Sequence, residues 1–298
     1  MLTEQNVRRY AHQSGLRDMM IAEKEIILTY ALQLFADRGI LDKLAFKGGT
    51  CLRKMHLGSQ GRFSTDLDFT AIEIHDPEDL ILEMMAAFEQ PFHGVTFELE
   101  DDYYVTQDGL SWGINPTYRH DWNPGGDSEI KMQISFRETP SMPVGTLQQC
   151  NQSYFSNLEF EPVNITSLAL EEMIAEKIRA CYQRNKARDI YDLGVFAKRP
   201  LNQPLIRRLV VLKLWQAKDA FYPEQLIAKF AEGRDFDWSD LGQLVHRDQT
   251  IDERRICRDC AEGYAFLNSL SEEERRLAGD PYDRERDLWE KLRAELPT

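Results

Sequence analysis

The sequence predicts an α+β fold, with a mixed or antiparallel sheet in its first half and a helical second part. Three observations predict it: a helical lead-in over the first forty residues, period-2 alternation between Val95 and Glu138, and helical spacing without notable strand candidates after Arg188. At 298 residues the chain is long enough for about two domains. They are expected at residues 1–197, with the sheet and the lead-in helices, and 198–298, all helical.

Along the chain, Met19, Met20, Ile26, Ile27, Tyr30, Ala31, Leu34 and Phe35 approximate a 3.6-residue period, and Gly39 behind Arg38 suits a helix C-cap. From Phe46 to Phe69 glycines and short apolar runs take over, and Pro77 opens a helix reaching Gln90. Val95–Thr106, Leu110–His120 and Ser128–Glu138 alternate apolar with polar residues, and Asn123-Pro124-Gly125-Gly126 has the chemistry of the turn joining the last two. Leu158–Ile165 is expected as a strand. Ser167 is expected to cap a helix from Leu168 to about Arg184, with Glu171 and Glu172 complementing its dipole. Leu205–Lys218, Pro223–Phe230, Arg254–Leu270 and Glu272–Leu296 then carry helical spacing.

Composition removes several classes. With 42% hydrophobic and 29% charged residues, disorder, collagen-like repeats and a disulfide-stapled mini-protein are excluded. No apolar run approaches about 18 residues, and the polar start MLTEQNVRRY lacks an apolar signal region, so the cytoplasm is expected and no membrane contact. Cys51, Cys150, Cys181, Cys257 and Cys260 are odd in number and scattered, which suits reduced thiols. Cys257 and Cys260 have no second Cys or His pair at zinc-ligand spacing and read as packing thiols. The net charge of −14 argues against binding nucleic acid through the whole surface. Yet Lys43–Arg62, Lys177–Arg188 and Lys198–Lys218 contain no acid and hold 16 of the 36 basic residues. Such segregation permits an anionic ligand at one place.

Chemistry concentrates in three segments. In Phe46-Lys47-Gly48-Gly49-Thr50, two glycines between a strand end and a helix start let backbone N–H groups approach a phosphate, with Thr50 to cap and hydrogen-bond it. A β-branched residue at Gly49 would block that approach and disfavour a positive φ. Sixteen residues on, Asp66-Leu67-Asp68 puts two carboxylates on one strand face, an arrangement suited to a divalent cation such as Mg²⁺, and Arg53, Lys54 and Arg62 would add to a triphosphate site. In the third, Lys177 lies amid the apolar stripe of Leu170, Met173, Ile174 and Cys181, where an ammonium without an anion is costly. On that ground Lys177→Met is expected to leave stability unchanged or improved. Asp189 and Asp192, at i,i+3, could cap a helix, pair with Arg188 or orient Lys177.

Together, LAFKGGTCLRKMH, GRFSTDLDFT and LEEMIAEKIRACYQRNKARDIYDL resemble the AbiEii/AbiGii-type nucleotidyltransferase toxins of the DNA polymerase β-like superfamily, over roughly Leu44 to Leu193. The resemblance implies a polymerase β-like domain and a Mg²⁺-dependent toxin of a bacterial toxin–antitoxin or phage-defence pair. Such a toxin moves NMP from an NTP to an RNA acceptor, in several relatives the tRNA 3′ end, and is held by an antitoxin; the Lys177–Arg188 and Lys198–Lys218 runs are then expected to receive RNA backbone. It implies nucleotide binding by Lys47, Gly48, Gly49, Thr50, Arg62 and Ser64, metal binding by Asp66 and Asp68, and catalysis by Asp66, Ser64, Lys177 and Asp192. Where the superfamily usually has a third carboxylate on a following strand, Lys131–Ser135 offers Gln133, with Glu129 nearby; the general base stays unassigned, Asp192 being preferred. Transfer of NMP or phosphate to a protein, and a catalytically silent nucleotide- or antitoxin-binding protein, remain as alternatives.

Overall fold

In the computed structural model, which describes residues 2–100, 102–120, 122 and 128–297, the lead-in is two helices, α1 (Glu4–Gln13) and α2 (Met19–Asp37). Gly15, at φ +60°, turns the chain between them. Thr3 and Asn6 form a reciprocal capping box on α1, and the Asp18 carboxylate accepts the Met20 N–H at 2.8 Å to start α2. Ile21 to Phe35 of α2 is buried almost throughout, as expected of a helix that is apolar on most of its circumference.

There follow β1 (Leu44–Lys47), the short helix α3 (Gly48–Cys51), which runs on into a π-helical stretch at Leu52–Leu57, then β2 (Asp66–Ala71) and α4 (Pro77–Ala87). Asp76 caps α4, with Pro77 in its first turn. The strands β3 (Val95–Glu98), β4 (Tyr104–Val105), β5 (Ser111–Ile114), β6 (Thr117–His120), β7 (Ser128–Glu129), β8 (Lys131–Ser135), β9 (Gly145–Leu147) and β10 (Ile165–Ser167) complete the β-structure. Among the described residues they form a seven-stranded sheet, β4-β5-β8-β2-β1-β10-β9, and a three-stranded sheet, β3-β6-β7. The larger is mixed: β2–β8 and β1–β10 are parallel and the other pairs antiparallel.

Several expectations change: Val95–Thr106 is β3 and β4, and Ser128–Glu138 is β7 and β8, each pair divided between the two sheets. The single strand at Leu110–His120 is two, in different sheets, because Pro116 between them has no N–H for a ladder. Of the expected Leu158–Ile165 strand only Ile165 is strand, as the first residue of β10, and Ser167 ends that strand. Its hydroxyl donates to the Ile165 carbonyl, and Ala169 stands at the N-cap of the next helix without a side-chain cap. The Glu272–Leu296 helix breaks at Gly279-Asp280-Pro281, where the Asp280 carboxylate accepts N–H groups of Tyr282, Arg284 and Glu285. The expected Asn123–Gly126 turn lies outside the described residues.

Alternation gives the large sheet two unlike faces. Leu44, Phe46, Leu67, Phe69, Met132, Ile134 and Ile114 are fully buried on one, where Phe35 of α2 meets Phe69 edge to face. Each such side chain contributes about 1.5–3 kcal/mol by leaving water. The opposite face carries Lys47, Asp66, Asp68, Lys131 and Gln133.

By backbone contacts the chain divides into two units. The first comprises Met1–Pro140, Val144–Leu168 and Gln243–Gln249, and the second Ser141–Pro143, Ala169–Gly242 and Thr250–Thr298. Residues 169–197, expected with the first domain, thus group with the second unit. Its helices are α5 (Leu170–Gln183), α6 (Ala187–Phe196), α7 (Gln203–Gln216), α8 (Pro223–Glu232), α9 (Glu253–Gly263), α10 (Glu272–Ala278) and α11 (Arg286–Ala294). Lys213 of α7 meets Glu172 of α5 at 2.8 Å, both buried, and Glu172 also accepts the Ser141 and Met142 N–H groups.

In the first unit a buried ionic cluster fixes the chain behind the glycine turn. Glu25 of α2, fully buried, meets Arg53 Nε at 3.1 Å and Lys54 Nζ at 3.2 Å. Arg53 also donates to the carbonyls of Gly58 and Gly61, and Lys54 to the Thr29 hydroxyl. Burial alone would push the Glu25 carboxyl up, but Lys54 and Arg53 outweigh it and hold the group below its usual value. Glu25→Ala would strand two buried cations. It is expected to cost about 3–5 kcal/mol in denaturant unfolding, without change in the unfolding slope.

Candidate active site

β1 ends extended at Lys47, and Gly48 then takes φ +78°, the one left-handed position of the turn. A Cβ there would collide with the Asp68 carboxylate, and one on Gly49 would lie 2.5 Å from Arg62 Nη2 and 3.2 Å from Ser64 Oγ. The positive φ expected at Gly49 therefore belongs to Gly48, while Gly49 makes room for Arg62 and Ser64. The Thr50 hydroxyl donates to the Asp66 carbonyl at 2.5 Å, so this buried side chain fastens the turn to β2 instead of reaching outward to a phosphate. Lys47, Gly48, Gly49, Thr50, Arg62, Ser64, Asp66 and Asp68 are thus gathered at one end of β1 and β2.

One register line crosses five strands: Lys47, Asp68, Gln133, Gly113 and Tyr104. Gln133 is the direct neighbour of Asp68 on the parallel strand β8. Glu129 lies instead in the three-stranded sheet, opposite Thr117, and is exposed. Asp66 and Asp68, both half-buried on one face, present the hard oxygen donors that Mg²⁺ takes, and Gly48, having no Cβ, lets the Asp68 carboxylate lie against the turn. The donor set fits that ion.

Much of the first and third basic runs is paired internally. Arg53 and Lys54 belong to the Glu25 cluster, so they add nothing to a triphosphate site. Lys43 pairs with Glu83, Lys198 with Asp259, Arg207 and Arg208 with Glu274, and Lys213 with Glu172. Acids remote in sequence thus neutralise much of the charge of Lys198–Lys218, one of the two runs expected to meet RNA.

In the second unit Lys177 does have anions. Its Nζ lies 2.9 Å from Asp189 Oδ1 and 2.8 Å from Asp192 Oδ2, and Arg184 Nε donates to Asp189 Oδ2 at 2.8 Å. Asp189 thereby pairs with Arg184 and Lys177, and both acids orient the lysine. Burial would raise the Asp189 carboxyl, but Lys177 and Arg184 hold it far below the usual range.

Sequence reasoning missed Tyr104 and the cleft beside it. The Tyr104 phenol lies across Gly113, where a Cβ would stand 2.5 Å from its Cζ and Oη. Burial, and after it the charges of Asp68, Asp66 and Glu129, push this phenol up to about 12, so it keeps its proton. The signal was a glycine inside the alternating segment Leu110–His120, which marks close approach of another group to the strand. Next to this line a cleft of about 470 Å³ is lined by Thr106, Gln107, Asp108, Ser111, Gln133 and Arg137. Cys257 and Cys260 are buried in the second unit, with the Cys260 thiol against the Ile190 carbonyl.

The family described as "Nucleotidyl transferase AbiEii toxin, Type IV TA system" matches residues 31–263. Among solved structures the chain is similar to MenT4, a nucleotidyltransferase toxin from Mycobacterium tuberculosis H37Rv. The two share 26% sequence identity over 100% of both chains, with a TM-score of 0.85. No curated protein matches significantly.

The lysine cluster reverses the expectation for Lys177→Met. Removing the cation takes from Asp189 and Asp192 the ammonium they share, leaving Asp189 with Arg184, and is expected to cost about 3 kcal/mol at pH 7. The contribution from Asp189 is complete above its ordinary value of about 4 and is lost as pH falls toward the depressed native value. Thermal melts at pH 7 and pH 3 should therefore show a gap between wild type and variant that narrows on acidification.

Proposed function

The chain belongs to the AbiEii nucleotidyl transferase toxin family, enzymes acting as the toxins of type IV toxin–antitoxin systems, and from that premise we propose that it transfers NMP from an NTP to the 3′ end of an RNA, tRNA foremost, in a Mg²⁺-dependent reaction. One observation carries this reading: the glycine turn, Ser64, Arg62 and the Asp66–Asp68 face converge at one sheet end. The partner implied by the family is an antitoxin, which in this reading meets the toxin in the cytoplasm. No helix among the described residues is long and apolar enough to cross a membrane.

In this reading the backbone N–H groups of Gly48 and Gly49, with Lys47, Arg62 and Ser64, hold the β- and γ-phosphates. Asp66 and Asp68 hold Mg²⁺, which supplies charge neutralisation at the phosphates when bound. The attacking 3′-hydroxyl oxygen bonds to the α-phosphorus as the bond to the bridging oxygen breaks, releasing pyrophosphate. The hydroxyl proton leaves to a general base, for which Asp192 is the assignment, and Lys177 balances charge moving onto the leaving group. Positioning and electrostatics carry the rate, since the protein forms no bond to the transferred group.

Transfer to a protein is the second reading, favoured by the internal pairing of the basic runs. Incubation with each labelled NTP, Mg²⁺ and either total RNA or protein lysate decides between them. RNA labelling is expected, and protein labelling alone would refute the RNA acceptor. Asp66→Ala should lower transfer by about a hundredfold or more while keeping the wild-type melt, because the carboxylate serves the ion and not the core. Gly49→Val should weaken NTP binding roughly tenfold by displacing Arg62 and Ser64, as read by titration with a non-hydrolysable NTP.

A further inference from the structure

The polar face of the large sheet has two sides about the acid pair. β1 and its glycine turn flank β2 on one side, while β8, β5 and β4 extend from the other. In-line displacement needs the attacking and leaving oxygens on opposite sides of the phosphorus. With pyrophosphate over Gly48 and Gly49, the attacking hydroxyl must enter over Gln133, one strand spacing of about 5 Å beyond Asp68.

That is where the cleft lies, and its chemistry is neutral. Its two charged residues cancel, Arg137 Nη2 donating to Asp108 Oδ2 at 2.8 Å. Asp108 also accepts from the Thr106 hydroxyl and the Leu110 N–H, which ties down the β4–β5 turn as a wall. Hydroxyls of Thr106 and Ser111 and the Gln133 amide make up much of the remaining polar lining. Such groups match a sugar and base better than a polyphosphate. Over Gly113, the strand neighbour of the cleft's Gln133, the Tyr104 hydroxyl is buried with no hydrogen-bond partner among the described residues. A buried, unsatisfied donor is an unusual feature that a bound group would relieve.

We propose that this cleft, with Tyr104 at its border, seats the 3′-terminal ribonucleoside of the acceptor, the phenol donating a hydrogen bond to the 2′-oxygen of the sugar. The inference rests on the RNA-acceptor reading above and adds the residues that position the acceptor. Tyr104 is here a positioning residue, and Gly113 is what allows the phenol to lie flat on the sheet.

The test compares wild type and Tyr104→Phe in single-turnover transfer from labelled NTP to two RNAs, one ending in a 2′,3′-diol and one in a 2′-deoxy residue. Wild type is expected to favour the diol. Tyr104→Phe should slow transfer to the diol RNA about five- to tenfold, the scale of one hydrogen bond, and erase the preference. NTP affinity and melting temperature should hold, the latter unchanged or raised because an unsatisfied hydroxyl has been removed. A variant that labels the diol RNA at the wild-type rate with the preference intact overturns the seat and leaves the RNA reading standing. Loss of NTP affinity would move Tyr104 to the donor side and also overturn it. A wild type that labels protein and no RNA refutes both readings.

Discussion

The position of the glycine turn depends on one carboxylate. Glu25 sits fully buried in α2 and holds Arg53 and Lys54, the residues that follow Gly48-Gly49-Thr50-Cys51 by one turn. Arg53 in turn binds the carbonyls of Gly58 and Gly61 and lies 3.6 Å over the Phe63 ring, so the whole path from the turn to Arg62 and Ser64 is fixed to the same centre. Such a cluster adds little net stability over an apolar core, but it is directional. Apolar packing would tolerate a shift of the Leu52–Leu57 stretch that these hydrogen bonds do not.

Much of the site was legible because it is local. Gly48, Gly49, Asp66 and Asp68 declare themselves by spacing on a strand–turn–helix and on a strand face, and the predicted convergence of turn and acids is what the register of β1 against β2 produces. What was not legible came from distance in sequence. Arg53 and Lys54 looked like phosphate ligands because Glu25, 28 and 29 residues upstream, carries no local sign of facing them. Lys177 looked bare in its apolar stripe because Asp189 and Asp192 reach it only once α6 folds back on α5. The boundary between strands at Pro116 was readable in principle, since proline cannot donate to a ladder.

Charge distribution shows the same limit on a larger scale. A chain of net charge −14 with acid-free basic runs suggests a segregated surface. The fold undoes the segregation: Glu25, Glu83, Glu172, Glu274 and Asp259 are each brought from other parts of the sequence onto a basic run. Runs of like charge are cheap to write in a sequence when the acids that answer them lie elsewhere. Their electrostatic meaning is set by tertiary pairing, which composition does not reveal.

The order of strands also bears on when the molecule becomes dangerous to its maker. β2 carries the acid pair, but its parallel neighbour β8 lies far along the chain, Thr70 reaching the Ser135 carbonyl across 65 residues, and β10 follows later still. At translation rates of about 5–20 residues per second, roughly 3–13 s pass between synthesis of the first strand and of its partner. A parallel pairing of such separation also forms slowly, because the loop must close before contacts reward it. The emerging polypeptide therefore carries Asp66 and Asp68 for seconds without the sheet that gives the pair a shape. That interval is built into the topology, and it ends only after the strand bearing Gln133 has left the ribosome.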